Sequence, residues 1–241
     1  MKSYYLTDVG KVRSHNEDSV LIIQNGSGET LMLVCDGMGG HRAGEVASSL
    51  AVTHFGKRFQ KLSSVGSKLD AVNWLNDNIS EINEEILDYA KNHFDSTGLG
   101  TTIVLALRTD NFLIFGNIGD SSGFVLKNNR LHKVTKDHTL VNLLVEAGDI
   151  TEEEAKTHPK KNILMKALGV GENIDMDIFE VETDVDGIFL CSDGLTNMLT
   201  VEQIEKVLDE ELSVEDKVKK LIKKSNARGG IDNISVAYLE I

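Results

Sequence analysis

Proline is nearly absent from this chain: Pro159 is the single one among 241 residues. That excludes a proline-rich spacer between domains. Cysteine is almost as scarce. Cys35 and Cys191 cannot build a disulfide framework, and a reducing, cytoplasmic setting is the simplest expectation. Long apolar runs are missing as well. The longest span about five residues, as at Leu31 to Cys35 and Ile103 to Leu107, far short of a membrane crossing. The first residues, Met1-Lys2-Ser3-Tyr4-Tyr5, lack the apolar core of a secretion signal. Positive charge is in deficit: Lys plus Arg is 25 against 38 for Asp plus Glu, a net charge of −13. With no basic stripe, nucleic acid and anionic membranes are disfavoured as partners. Zinc signatures are missing too. The seven histidines show no HExxH spacing and neither cysteine sits in a CxxC. His41 is the one histidine near the acidic motifs described below. The cysteines read as small packing residues rather than nucleophiles.

What remains is globular in character, with 41% apolar and 26% charged residues. The length fits one large domain or two small ones. No linker, repeat or low-complexity stretch divides it, so residues 1–241 are expected to form a single domain. Strands are expected at Tyr4 to Thr7, Ser19 to Gln24 and Thr30 to Cys35, with Gly26-Ser27-Gly28 turning between the last two. The apolar period then changes. Val46, Ala47, Leu50, Ala51, Phe55, Phe59 and Leu62 recur at helical steps, and so do Ala71, Leu75, Ile79, Ile82, Ile86 and Ala90. Asp70 is a candidate cap for this second helix.

Strands resume at Thr101 to Leu107, Phe112 to Asn117, Gly123 to Leu126 and Leu131 to Val134, with Asn128-Asn129 as a hairpin turn. Short helices are expected at Thr139 to Ala147 and at Thr151 to Thr157, the latter opened by a Thr-x-x-Glu box. The polar stretch Lys156 to Asn162 reads as mobile. Strands at Ile174 to Glu182, Gly187 to Cys191 and Ile234 to Leu239 enclose helices at Val201 to Asp209 and Val214 to Ser225. Hairpin-like links favour antiparallel sheet. The expected fold is α+β, with two sheets face to face and helices on both outer faces.

Acids gather where strands end. Asp36-Gly37 follows Leu31 to Cys35, and Asp193-Gly194 follows the apolar strand ending at Cys191. Asp-Gly is ordinarily a hairpin turn, but helical sequence follows both. Glu17-Asp18, Asp120 and Asp232 occupy comparable junctions. Two carboxylates about 4 Å apart repel by about 4 kcal/mol at an effective dielectric of 20. Bound cations would relieve that, and hard oxygen ligands select Mg²⁺ or Mn²⁺ over zinc. Gly37-Met38-Gly39-Gly40 lacks the Lys-Ser/Thr of a phosphate loop and instead leaves room for metals.

Residues Asp36 to Glu45 read DGMGGHRAGE. Together with Gly10-x-x-Arg13, Asn16-Glu17-Asp18, Gly119-Asp120-Ser121, Ser192-Asp193-Gly194 and Asp232-Asn233, they resemble the metal-dependent protein phosphatase family, 2C type (PPM), in its compact bacterial form. The resemblance runs from residue 8 to 235 in family order. It implies a four-layer α-β-β-α sandwich with a binuclear Mn²⁺ or Mg²⁺ centre, and hydrolysis of phosphoserine and phosphothreonine in proteins. By that resemblance Asp36 bridges two metals, Gly37 gives its carbonyl to one, and Asp193 and Asp232 hold the other. Glu17 and Asp18 act directly or through water. Arg13 binds the substrate phosphate, and about residues 148–166 form a flap.

Bacterial relatives bind a third, weaker metal through the acids that correspond to Asp120 and Asp193. Animal members carry a histidine, proposed as general acid, where Met38 stands; bacterial relatives share the methionine. Ser122 stands where an arginine usually follows Gly-Asp-Ser, which calls a local salt bridge into question but not the metals. Two metals would lower the pKa of a bridging water, whose hydroxide attacks phosphorus in line. The implied partners are phosphorylated proteins, including a cognate Ser/Thr kinase and its substrates, and the protein is expected to be a monomer. The alternatives are a non-catalytic pseudophosphatase, disfavoured by the retention of Asp36, Asp193 and Asp232, and a hydrolase of another phosphate ester.

Overall fold

The third strand, β3 (Thr30–Met38), shows how the layers arise. Leu31, Leu33 and Cys35 pack with two long helices, whereas Met32 and Val34 pack against a second sheet. Side chains alternate faces along a strand, so a strand apolar on both faces needs a cover on each side. The computed structural model describes residues 1–39, 43–93 and 98–241. One sheet has the order β1 (Lys2–Asp8), β11 (Ile234–Glu240), β10 (Gly187–Cys191), β7 (Ser122–Lys127), β8 (Arg130–Lys133). The other runs β2 (Asp18–Gln24), β3, β5 (Ile103–Arg108), β6 (Leu113–Ile118), β9 (Asp177–Val181), with the short β4 (Gly100–Thr101) beside β3. The pairings are antiparallel.

Helices α1 (Ala43–Lys61) and α2 (Lys68–Asn92) cover the second sheet. Helices α5 (Asp193–Thr196), α6 (Val201–Leu208) and α7 (Val214–Ala227) cover the first. The expected α-β-β-α sandwich is the observed one. On α1, Ala47, Ala51, Phe55 and Phe59 are buried, and the Phe55 and Phe59 rings each lie 5.8 Å from that of Trp74. Each such large side chain contributes roughly 1.5–3 kcal/mol by leaving water, more than helix propensity offers per residue.

Several local expectations shift. Ser67, not Asp70, caps α2. Asp70 sits three residues in and accepts the Ser67 N–H at 2.9 Å, while its own N–H donates to the Ser67 hydroxyl at 3.2 Å. The sequence Ser-Lys-Leu-Asp is thus a capping box with Asp in the Glu role. Strand β3 runs on through Asp36, Gly37 and Met38, because Gly37 and Met38 pair with Thr101 and Gly100. The strand expected at Thr101 to Leu107 is broken at Thr102, whose N–H donates to the Asp36 carbonyl at 2.9 Å. The strand expected from Ile174 begins only at Asp177, where it meets the β6 edge at Asn117. Asn128 and Asn129 take φ of 52° and 62°, the positive pair that a two-residue hairpin turn needs.

Between β8 and β9 the chain leaves the sandwich. It forms α3 (Leu140–Ala147) and α4 (Glu152–Thr157), the latter opened by the expected Thr151–Glu154 box, and closes where Thr139 bridges Leu164. No helix among the described residues is long and apolar enough to cross a membrane.

Candidate metal centre

Strand parity brings the acids to one end of the sandwich. Asp18 and Asp36 face each other in the β2–β3 register. Both share the parity of Met32 and Val34, so both point between the sheets rather than toward the helices. Strand β10 runs antiparallel to β11, so Asp193 just after β10 and Asp232 just before β11 arrive at the same end. Asp120 joins them from the turn between β6 and β7.

Two glycines permit this convergence. A Cβ on Gly37 would stand 2.2 Å from the Gly44 carbonyl oxygen and 2.4 Å from that of Glu17. Gly119 has φ +108°, and a Cβ there would meet the Thr102 Cγ2 at 2.5 Å. Any other residue would have to move strand β3 or the Asp120 turn.

The resulting cleft holds about 270 Å³ and is lined by Arg13, Glu17, Asp36, Gly37, Met38, Gly39, Asp120, Asn162, Leu164, Asp193, Asp232 and Asn233. Of the candidate ligands, Glu17, Asp36, Gly37, Asp120, Asp193 and Asp232 reach it. Asp18 lies behind it, 6% exposed, and accepts the Ser192 hydroxyl at 2.7 Å. His41 and Gly40, which belong to the DGMGGHRAGE motif, lie outside the described residues.

Like charges in a buried space shift each other. Burial, reinforced by Asp18, Asp193, Asp120 and Asp232, pushes the Asp36 carboxyl well above the usual range. Burial pushes Asp18 up, with the Ser192 bond opposing. Burial and then Asp232 raise Asp193. Burial, Asp193 and Asp137 bring Asp120 to about 7. Burial raises Glu17 against the pull of Arg13. The oxygens Glu17 Oε1 and Asp18 Oδ1 are buried and have no hydrogen-bond partner among the described residues. A set of hard, mutually repelling, partly unpartnered carboxylate oxygens fits divalent cations of the Mg²⁺ or Mn²⁺ kind. Among the described residues, no three acids or histidines already close into a cage around one point. The Asp36 and Asp193 carboxyls come within hydrogen-bond reach of each other, and Arg13 takes Asp232: its Nη2 donates to Asp232 Oδ2 at 2.8 Å. That hydrogen bond is also the largest influence holding the guanidinium charged.

Several residues that hold the acids in place carry little signal in the sequence. The Thr102 hydroxyl accepts the Asp36 N–H at 2.9 Å and is 2.8 Å from the Ser121 hydroxyl, tying the Asp36 strand to the Asp120 turn. The Asn233 side chain accepts the Glu17 N–H and donates to the Val9 and His15 carbonyls. Asn162 and Leu164 bring the end of the 139–164 excursion into the cleft. Only the Gly100-Thr101-Thr102 tripeptide and the Asp232-Asn233 pair hint at the first two. Burial pushes the Cys35 and Cys191 thiols up, so neither is a ready nucleophile.

Residues 10–227 match the family described as protein phosphatase 2C. The serine/threonine phosphatase stp of Listeria welshimeri is 40% identical over 241 residues, covering 100% of this chain and 96% of that protein. Protein phosphatase PhpP of Streptococcus pneumoniae is 37% identical over 246 residues, covering 100% and 98%. The solved S. agalactiae serine/threonine phosphatase superposes with a TM-score of 0.94 at 36% identity, covering 100% of this chain and 99% of that one.

Proposed function

We propose how this chain, which belongs to the protein phosphatase 2C family, uses its carboxylate cleft. The protein is a metal-dependent serine/threonine protein phosphatase. Asp36, the Gly37 carbonyl, Asp193 and Asp232 hold two divalent cations, Mn²⁺ or Mg²⁺. Glu17 and Asp18 fix water around them, and Asp120 with Asp193 holds a third, weaker one. The observation that carries this reading is the crowding of carboxylates whose protonation is raised by burial and by one another, with Glu17 Oε1 and Asp18 Oδ1 unpartnered among the described residues.

The bound cations supply Lewis acidity and an acidified water for attack on phosphorus. The chain supplies the rest. Arg13, 52% exposed at the cleft edge, turns from Asp232 to the phosphate and offers a two-pronged donor to its oxygens. Met38 has no proton to give the leaving alkoxide, so that proton comes by way of the Asp120 side of the cleft. Ser192 holds Asp18, and Thr102 holds Asp36, in fixed directions before substrate arrives. Phosphorylated proteins, among them a cognate kinase and its substrates, are the proposed partners of a cytoplasmic monomer, by likeness to relatives named as serine/threonine phosphatases.

Hydrolysis of a phosphothreonine peptide with Mn²⁺, and after exhaustive chelation, tests the assignment. Loss of turnover on chelation and its return with Mn²⁺ is expected, and undiminished activity in the chelated protein would overturn it.

A further inference from the structure

Behind Asp120, one histidine joins three parts of the molecule. The Gly119 N–H donates to His138 Nδ1 at 3.0 Å, and the His138 N–H donates to the Gly119 carbonyl at 2.9 Å. An accepting Nδ1 carries no proton, so the ring proton is on Nε2. Nε2 lies 3.2 Å from Asp177 Oδ2, and Lys166 Nζ donates to Asp177 Oδ1 at 3.1 Å. The His138 carbonyl accepts the Met165 N–H at 2.8 Å, and the next residue, Thr139, bridges Leu164. His138 therefore grips both polar groups of the residue before Asp120. It is held in turn from β9 and from the returning root of the 139–164 excursion.

We infer that His138 is a positioning residue: through Gly119 it sets the direction of the Asp120 carboxylate and links it to the root that delivers Asn162 and Leu164 to the cleft. Gly119 has no Cβ and sits at φ +108°, where side-chain sterics cannot hold the peptide. Hydrogen bonds must do so, and Asn117 Nδ2 adds one more on the carbonyl side at 3.1 Å. A small rotation at Gly119 would swing Asp120 away from Asp193. Aspartate would then be present in the sequence but misaimed, and a misplacement of about 1 Å in such a site is costly. This inference rests on the assignment of Asp120 to the metal centre.

Two substitutions separate positioning from space filling in the full-length protein. Asparagine places Oδ1 where Nδ1 stands and so keeps an acceptor for the Gly119 N–H. Glutamine reaches the Nε2 position instead and loses that acceptor. Three quantities are read for His138→Asn and His138→Gln: exchange of the Gly119 amide proton in the metal-free protein, thermal midpoint, and kcat and KM on a phosphothreonine peptide across Mn²⁺ concentration. His138→Asn is expected to keep the Gly119 amide protected and kcat within about threefold, since one hydrogen bond of ordinary strength stays in place. His138→Gln is expected to speed that exchange, lower kcat about tenfold with KM nearly unchanged, and need more Mn²⁺. Equal behaviour of the two variants, or a kcat loss that merely follows the thermal midpoint, would overturn the inference. Should His138→Gln not fold, Asp177→Ala releases the ring from its far side and is expected to give the same changes at smaller size; no change in Gly119 exchange there also overturns it. A wild-type protein inactive on the peptide would count against the phosphatase assignment, while the metal-free exchange data would still decide the role of His138.

Discussion

Replacing Asp120 with asparagine should stabilise the metal-free protein, and should do so only at higher pH. Burial, Asp193 and Asp137 raise the Asp120 carboxyl from 3.8 to about 7. The folded protein therefore keeps a proton there between about pH 4 and 7, a range in which the unfolded chain has released it. Stability falls as pH rises through that window, because the folded state must give up a proton it binds more tightly. Below about pH 4 both states are protonated and no cost remains; above about pH 7 the cost is complete. A shift of about three units corresponds to about 4 kcal/mol at 1.36 kcal/mol per unit. Relaxation of the partly open cleft reduces that to about 2–4 kcal/mol. Asparagine has the same shape without the charge and avoids the cost.

Urea unfolding in chelator at pH 4.5 and pH 8 measures it. Wild type should lose stability between the two, and Asp120→Asn should recover about 2–4 kcal/mol at pH 8 and about a quarter of that at pH 4.5. Added Mn²⁺ should then stabilise wild type more than the variant at pH 8, because only the folded protein gathers the ligands. If the stability difference between the two pH values is the same in both proteins, Asp120 does not hold a raised proton and the electrostatic account of the cleft is wrong.

Asp193→Ala or Asp232→Ala should abolish tight Mn²⁺ binding in a calorimetric titration and nearly all turnover, whereas Arg13→Ala should keep the heat of metal binding and raise KM; equal loss of metal in Arg13→Ala would remove Arg13 from the phosphate role. Asp120→Ala should slow hydrolysis of a phosphoserine peptide more than that of an aryl phosphate, whose leaving group needs little protonation, and equal losses on the two substrates would separate Asp120 from leaving-group chemistry.

The layers of the fold were legible in the sequence because they follow from local periodicity. Leu31, Leu33 and Cys35 alternate with Met32 and Val34, and Phe55 and Phe59 recur at helical spacing, so each segment states which faces it must bury. The candidate metal acids were legible for a related reason. Asp36 and Asp193 each follow an apolar strand, and the ordered set of motifs spans the chain. Tertiary structure alone decided how those acids are held. Thr102 meets Asp36 from 66 positions away, Ser192 meets Asp18 from 174, and Arg13 meets Asp232 from 219. It also set Asp18 behind the cleft rather than in it, and placed His138 against Gly119. These contacts depend on strand register and on the closing of one sheet over the other. A short window of sequence states the faces it must bury, but a hydrogen bond between distant residues exists only after both of their elements have been packed.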